Sequence, residues 1–370
     1  MGKQLLHTPE GVRDIYGTEY KKKLKVESLL HNKISLYGYE DIQTPSFEFF
    51  DVFGSDIGTT PSRELYKFFD KEGNTLALRP DFTPSIARCA SKYFMDKNEP
   101  LRFSYLGNAF TNVSNLQGKL KETTQMGVEL IGDGSVYADA EVLSVTIEAL
   151  LNAGLTDFMV SVGNVEYFKG LCEEFEFSED METTVHEYIS NKNFFGAQEY
   201  LLNENVDKLV REKLLKTGEL AGQVEVLDTA AKLADNARSK AAIKRLANLY
   251  EVLQQYGIEK YISFDLGMLT QYQYYTGMIF KVYTFGVGDA IVKGGRYDTL
   301  LSQFGKKAPA IGFVILIDDL MQAFTRQSVT VSLDEGKKIL IYNENNFTDI
   351  LNEAQKLRKQ GIAVEMRKEG

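Results

Sequence analysis

The side chains that most often carry catalysis are few and scattered in this chain. Its three histidines, His7, His31 and His186, lie far apart, with no spacing that makes them ligands of one metal. Two cysteines, Cys89 and Cys172, cannot build a disulfide framework and suit a reducing compartment. Each sits in an apolar helical context, and both are expected to be buried thiols. Gly294-Gly295-Arg296-Tyr297-Asp298 is glycine-rich but lacks the spacing and the Lys-Ser/Thr ending of a phosphate loop. Its glycines are expected to allow a tight turn and close backbone approach, with Arg296 and Asp298 pairing locally. The 20 tyrosines do not interleave with basic residues, so no base-stacking surface is indicated. These residues call for no metal and no cofactor.

Charge narrows the partners. The net charge is −10, whereas a protein whose main partner is tRNA usually presents a basic face to the phosphates. The longest basic cluster, Lys21-Lys22-Lys23, opens an amphipathic helix and reads as its solvated end. Nucleic acid is therefore not the expected partner. No apolar run approaches the roughly 18 residues of a membrane span. Met1 to Thr8 is polar and lacks the apolar core of a secretory signal, so a cytoplasmic protein is expected.

The elements that must position any site follow from periodicity. At 370 residues, two or three domains are expected. Apolar residues at Val26, Leu29, Leu30 and Ile34 predict a helix over Tyr20–Tyr37, with Gly38 as its stop. Tyr39 to Phe50 reads as extended. Strands are predicted at Leu65–Asp70, Thr75–Leu78, Leu101–Ala109, Thr124–Ile131 and Phe158–Val162, the first two joined by a hairpin turn at Asp70–Asn74. Ala138–Asn152 is predicted to be a helix. From about Phe175 to Gly257 the pattern becomes almost continuously helical, which suggests an inserted subdomain. Strands resume at Ile262–Leu266 and Thr276–Tyr283, and a helix near Asp318 closes the unit. The expected division is residues 1–174 and 258–326 for one core, 175–257 for the insertion and 337–370 for a tail. The polar stretch Gln327–Gly336 links the tail, whose strand–helix–strand (Lys338–Tyr342, Thr348–Gln360, Ile362–Met366) is too little to fold alone. It must dock on the body or open a larger domain.

Several stretches, in order, resemble the catalytic half of class II histidyl-tRNA synthetases over roughly residues 5 to 325. They are TPEGVRDI (8–15), GYEDIQTPSFE (38–48), LRPDFTPSIAR (78–88), YLGNAF (105–110), QMGVELIG (125–132), YYTGMIF (274–280), GGRYDTL (294–300) and PAIGF (309–313). Their order and spacing together carry the resemblance. It implies an α+β fold, a six-stranded antiparallel sheet flanked by helices with a helical insertion. The tail resembles the opening of an anticodon-binding domain.

The departures are as informative as the matches. A synthetase pocket must hold a triphosphate, which calls for arginines as rigid, permanently charged forks. After the strand ending at Phe110 the family has an arginine where this chain has Thr111; the acidic residue expected two positions on is Val113, followed by Ser114. After Ile311-Gly312-Phe313 a Gly-x-Glu-Arg run is expected, and Leu316-Ile317-Asp318-Asp319 stands there. The arginine expected four residues before the tyrosine pair is Thr270. Each lost charge-assisted contact costs roughly 1.5–3 kcal/mol, and a lost transition-state donor about 10²–10³ in rate. Synthetase catalysis is expected to be gone.

The amino-acid side of the pocket is better kept. The resemblance assigns the histidine amino group to Asp81, Thr83, Gln125 and Glu129, and places Tyr274 and Tyr275 near the imidazole. A synthetase-like body without ATP chemistry is similar to the regulatory-subunit family of short-form ATP phosphoribosyltransferase, the first enzyme of histidine biosynthesis. That similarity implies a non-catalytic chain that dimerises, assembles with catalytic subunits into a hetero-octamer, activates them and confers feedback inhibition by L-histidine. The alternatives are a pseudo-synthetase that senses tRNA or modifies another protein, a histidine-binding scaffold outside that pathway, and an active synthetase.

Overall fold

The computed structural model describes residues 6–54, 60–113, 119–268, 274–333 and 336–370. In chain order, α1 (Gly17–Ser35) leads to β1 (Glu40–Asp41), β2 (Phe47–Phe49), β3 (Lys67–Phe69) and β4 (Thr75–Leu78). Next come α2 (Thr83–Tyr93), the long strands β5 (Leu101–Phe110) and β6 (Glu122–Ile131), α3 (Val136–Ala153) and β7 (Phe158–Asn164). A helical stretch contains α4 (Val165–Glu174), α5 (Glu179–Ser190), α6 (Phe194–Asn203), α7 (Lys208–Gly218), the two-residue β8 (Ala221–Gly222), α8 (Val226–Leu233) and α9 (Ala237–Tyr256). The chain then forms β9 (Ile262–Asp265), β10 (Met278–Thr284), β11 (Val292–Arg296), β12 (Ala310–Leu316) and α10 (Ile317–Arg326). The tail is β13 (Lys338–Tyr342), α11 (Phe347–Lys359) and β14 (Val364–Lys368), whose strands pair in parallel.

One sheet organises the body. Its order is β1-β5-β6-β12-β11-β10-β7-β9-β8. The six central strands, β5 to β7 in that order, are antiparallel throughout. The expected six-stranded sheet is thus extended to nine, because β1 joins β5 in parallel at one edge and β9 joins β7 in parallel at the other. β8, which lies inside the helical stretch, adds to β9, so that stretch contributes to the sheet as well as packing on it. A separate antiparallel sheet, β2-β4-β3, contains the expected hairpin: Asn74 donates its backbone N–H to Asp70 Oδ1 at 2.7 Å, and Gly73 adopts φ +87°.

Alternation along the strands divides the main sheet into two unlike faces. Met126, Val128 and Leu130 on β6, Phe313 and Ile315 on β12 and Phe280 and Val282 on β10 are buried in one cluster with α1, α3 and α9 residues. The residues between them, Gln125, Gly127 and Glu129 on β6, Gly312 on β12, and Lys293 and Gly295 on β11, lie on the other face. The apolar face anchors the sheet; the opposite one presents the polar residues.

The glycine turn and the burial of Cys89 need correcting, while the pairing of Arg296 with Asp298 holds and is joined by a further partner. Gly294 and Gly295 do not form a turn but sit inside β11. The window looks turn-forming in sequence because glycine is the default turn residue, yet here the requirement is only close approach. A Cβ on Gly294 would meet the Phe280 ring at 2.5 Å and Gly312 O at 2.7 Å. Arg296 does bond Asp298 at 3.0 Å, but its main partner is the fully buried Asp139 at the start of α3, which Arg245 of α9 also reaches. This network ties α9 to the sheet. Cys172 is buried, whereas Cys89 is only half-buried on α2.

Candidate functional site

The site is assembled over the polar face from the link between β4 and α2, from β5, β6, β11 and β12, and from the segment before β10. Arg79, just after β4, is the first support. Its guanidinium donates to the backbone carbonyls of Asn108 at 2.8 Å and Thr44 at 2.9 Å, and lies 3.9 Å from the centre of the Phe82 ring. Phe82 in turn stacks on Tyr105 of β5 with centroids 4.4 Å apart. This pile fixes the Pro80–Phe82 link to α2, and so the positions of Asp81 and Thr83 relative to β6. Pro84 at the start of α2 suits a helix entry, where a missing N–H costs nothing.

Glu129 is the centre. It is 1% exposed, and its two oxygens accept hydrogen bonds from Thr83 Oγ1 at 2.7 Å and from the Tyr297 hydroxyl. Burial pushes its pKa up to about 8, against the lowering effect of those two donors, and the charge of Asp81 adds to the rise. Burial thus favours the protonated carboxyl near neutral pH as long as no cation sits beside it. Gln125, on the same face of β6, is 8% exposed, and its Oε1 is buried with no hydrogen-bond donor among the described residues. A buried acceptor of this kind asks for an explanation, and a ligand donor supplies one.

Glycines make room for these groups. A Cβ on Gly312 would collide with the Glu129 carboxylate, and one on Gly295 would lie 2.8 Å from the Tyr275 ring. Tyr274 and Tyr275 have ring centroids 4.7 Å apart, and Tyr274 meets Tyr297 edge-on at 6.0 Å. All six residues that the sequence puts forward, Asp81, Thr83, Gln125, Glu129, Tyr274 and Tyr275, line one cavity of about 90 Å³. A larger open groove of about 550 Å³ lies elsewhere, by Glu10, Tyr66, Phe110 and Lys121, and shares none of them.

Tyr105, Tyr297 and Lys293 also line the cavity and fall outside the set that sequence reasoning reaches. For Tyr297 a signal exists: reading residues 292–296 as a strand sets Lys293, Gly295 and Tyr297 on one side by their spacing of two. Of the positions where synthetase arginines or their partners are replaced, Thr111 and Val113 follow β5, with the Thr111 N–H donating to Lys121 O at 2.9 Å. Thr270 and Ser114 lie outside the described residues. Asp318 and Asp319 occupy the first turn of α10, next to the end of β12. Asp318 accepts from the Thr124 N–H at 2.8 Å, and Asp319 is held above its usual carboxylate range by burial, opposed by Lys293 and reinforced by Asp289 and Asp318. A helix N-terminus attracts anions; this one is already supplied with two of its own.

The arrangement can take a small molecule carrying an ammonium and a flat polar ring. Among the described residues it offers no cluster of cations for a triphosphate. Comparison with known proteins gives this geometry a context. A family model described as histidyl-tRNA synthetase matches residues 11–320. The ATP phosphoribosyltransferase regulatory subunit of Acetivibrio thermocellus is 40% identical over 366 residues, covering 99% of this chain and 88% of that one. A crystal structure of an ATP phosphoribosyltransferase regulatory subunit/histidyl-tRNA synthetase from Bacillus halodurans is similar with a TM-score of 0.90 and 32% identity, over 98% of this chain and 93% of that one. The histidyl-tRNA synthetase of Nostoc, at 20% identity and a TM-score of 0.83 over 99% of this chain and 86% of its own, shares the fold. The fold is the class II synthetase-like α+β one, and by its sequence the chain belongs to the histidyl-tRNA synthetase-like family of ATP phosphoribosyltransferase regulatory subunits.

Proposed function

We propose that this chain is the non-catalytic regulatory subunit of a short-form ATP phosphoribosyltransferase, needed for the activity of its catalytic subunit and for inhibition by L-histidine. The observation that carries the histidine part is the single cavity in which a raised Glu129 carboxyl and the buried, unpaired Oε1 of Gln125 face the same space. An ammonium placed among Asp81, Thr83, Gln125 and Glu129 gives both acceptors a donor and ionises Glu129. An imidazole between Tyr274 and Tyr275 gains ring contacts and a hydroxyl to fix its orientation.

Inhibition then follows from linkage. Histidine shifts the complex toward an inactive arrangement only by the difference in its affinity for the two states. The chain acts as a homodimer within a hetero-octamer in the cytoplasm, with no cofactor of its own. The acidic chain and the acidic α10 N-terminus speak against tRNA and ATP as ligands.

The test is a transferase assay with catalytic subunit, ATP and phosphoribosyl pyrophosphate, with and without the chain, titrated with histidine. The expected result is strong activation by the chain and histidine inhibition that Gln125→Ala or Tyr275→Ala weakens. Activation with inhibition unchanged in both variants moves the histidine site elsewhere. No activation, together with adenylation of histidine by the chain alone, overturns the reading.

A further inference from the structure

An amino acid brings a carboxylate as well as an ammonium, and a carboxylate taken out of water needs a cation or several donors. The acids of the ammonium seat, Asp81 and Glu129, repel it. Among the described residues lining the cavity the one cation is Lys293. It lies two residues before Gly295 on β11, on the same face of the sheet.

Directly opposite Lys293 in the antiparallel ladder stands Lys281 of β10. Like charges facing each other across strands are destabilising, so the pair asks for a reason. The two ammoniums are partnered differently among the described residues. Lys293 Nζ reaches Asp289 Oδ2 at 3.0 Å, and Lys192 Nζ lies 3.4 Å from Asp265 Oδ2. Lys281 is half-buried and makes no hydrogen bond or ion pair with any described residue. Its amine is held below the usual lysine value, first by burial and next by the charge of Lys293, while Asp289 and Asp265 oppose the shift and Lys192 adds to it. On the far side of Lys293, Asp289 and Asp319 are close enough to feel one another's charge and disfavour a larger anion.

We propose that Lys293 and Lys281 form the seat for the ligand carboxylate, so that the cavity selects a zwitterionic amino acid over the corresponding alcohol or amine. This rests on the reading that histidine occupies the cavity. The ammonium then sits at the β6 side, by Gln125 and Asp81, and the carboxylate points toward β10 and β11. Lysines suit this role, because a single carboxylate needs a compact ammonium and not the planar fork that a phosphate chain rewards.

Calorimetric titration of the full chain with L-histidine and with L-histidinol, which lacks the carboxylate, tests the assignment. Lys281→Met removes the Lys281 charge without stripping Asp289 of its hydrogen-bonded partner, and Lys293→Gln removes the cation that lines the cavity; thermal melting checks that both fold. The wild-type chain is expected to bind histidine roughly tenfold or more tighter than histidinol, as one charge-assisted contact provides. Each variant is expected to erase most of that preference by weakening histidine alone. Equal wild-type affinity for the two ligands, or variants that weaken both alike or neither, overturns the lysine seat and leaves histidine in the cavity. Absence of histidine binding to the wild-type chain overturns the cavity reading itself, and the lysine seat with it.

Discussion

The two ends of the polar face are built by opposite rules. At the amino-acid end a buried carboxyl, Glu129, is held by Thr83 and Tyr297 and faces the unpaired acceptor of Gln125. At the start of α10 Asp318 and Asp319 stand together, and just past β5 Thr111 and Val113 offer no charge. Both regions adjoin the same sheet, Asp318 through its bond to the Thr124 N–H of β6 and Glu129 as a residue of β6. On the proposed reading, one scaffold can seat a cation at Glu129 while two carboxylates at the start of α10 disfavour a polyanion. Nothing in the fold has to change for this.

The largest break in that contrast comes from Glu129→Ala. It removes the acceptor of two buried hydroxyl donors and the counter-charge for a ligand ammonium. Truncating one partner of a buried charged pair costs about 3–5 kcal/mol, so histidine affinity is expected to fall a hundredfold or more in calorimetry. Unchanged affinity places histidine outside this cavity. Gly312→Ala comes next. Its new Cβ would press on the Glu129 carboxylate and lie 2.5 Å from Val128 O in the neighbouring strand. Overpacking of this kind costs roughly 1–3 kcal/mol. A lowered melting temperature together with weakened histidine binding is the expected pair of readouts.

How much of this is legible in the sequence depends on what each residue has to signal. Gln125, Glu129 and their apolar neighbours Met126, Val128 and Leu130 announce a two-faced strand by alternation alone. The family resemblance then implies Asp81, Thr83, Tyr274 and Tyr275 beside them, and the structure gathers all six around one cavity. β11 and β12 do not read as strands, since Gly294-Gly295 and Gly312 imitate turns while serving close packing. Without β11, Tyr297 and Lys293 have no face and cannot join the site. Arg296 looks like a local partner of Asp298; its bond to Asp139 spans 157 positions, and no local pattern reports such a distance.

A smaller and more quantitative probe is pH. Glu129 has a folded pKa of about 8 against an ordinary 4.5. Because the folded value is raised, the stability it contributes without ligand is full below pH 4.5, declines as pH climbs and is spent once pH passes 8. Melting temperature of the free chain is expected to show this decline between those limits, and Glu129→Gln to flatten it. Histidine binding runs the other way. Seating an ammonium ionises Glu129 and releases a proton, so affinity is expected to improve with pH below about 8, at most about tenfold per unit. Calorimetry in buffers of different ionisation enthalpy counts the proton. No proton release at about pH 7 means that Glu129 does not face the ligand charge.

The smallest effect is expected at the other end. Asp319→Arg replaces one of the two carboxylates at the α10 N-terminus by a cation. The helix loses a favourable acidic partner, worth about 0.3–1 kcal/mol, and the α10 N-terminus gains one positive charge in a setting that still holds Asp318 and Asp289. Thr111 continues to offer only a hydroxyl where a second fork is needed. ATP affinity is therefore expected to rise a fewfold at most, and pyrophosphate exchange with histidine to stay undetectable. Adding Thr111→Arg is expected to strengthen ATP binding further, still without turnover. Adenylation from the single change alone would mean that one carboxylate at the start of α10 accounts for the contrast between the two ends.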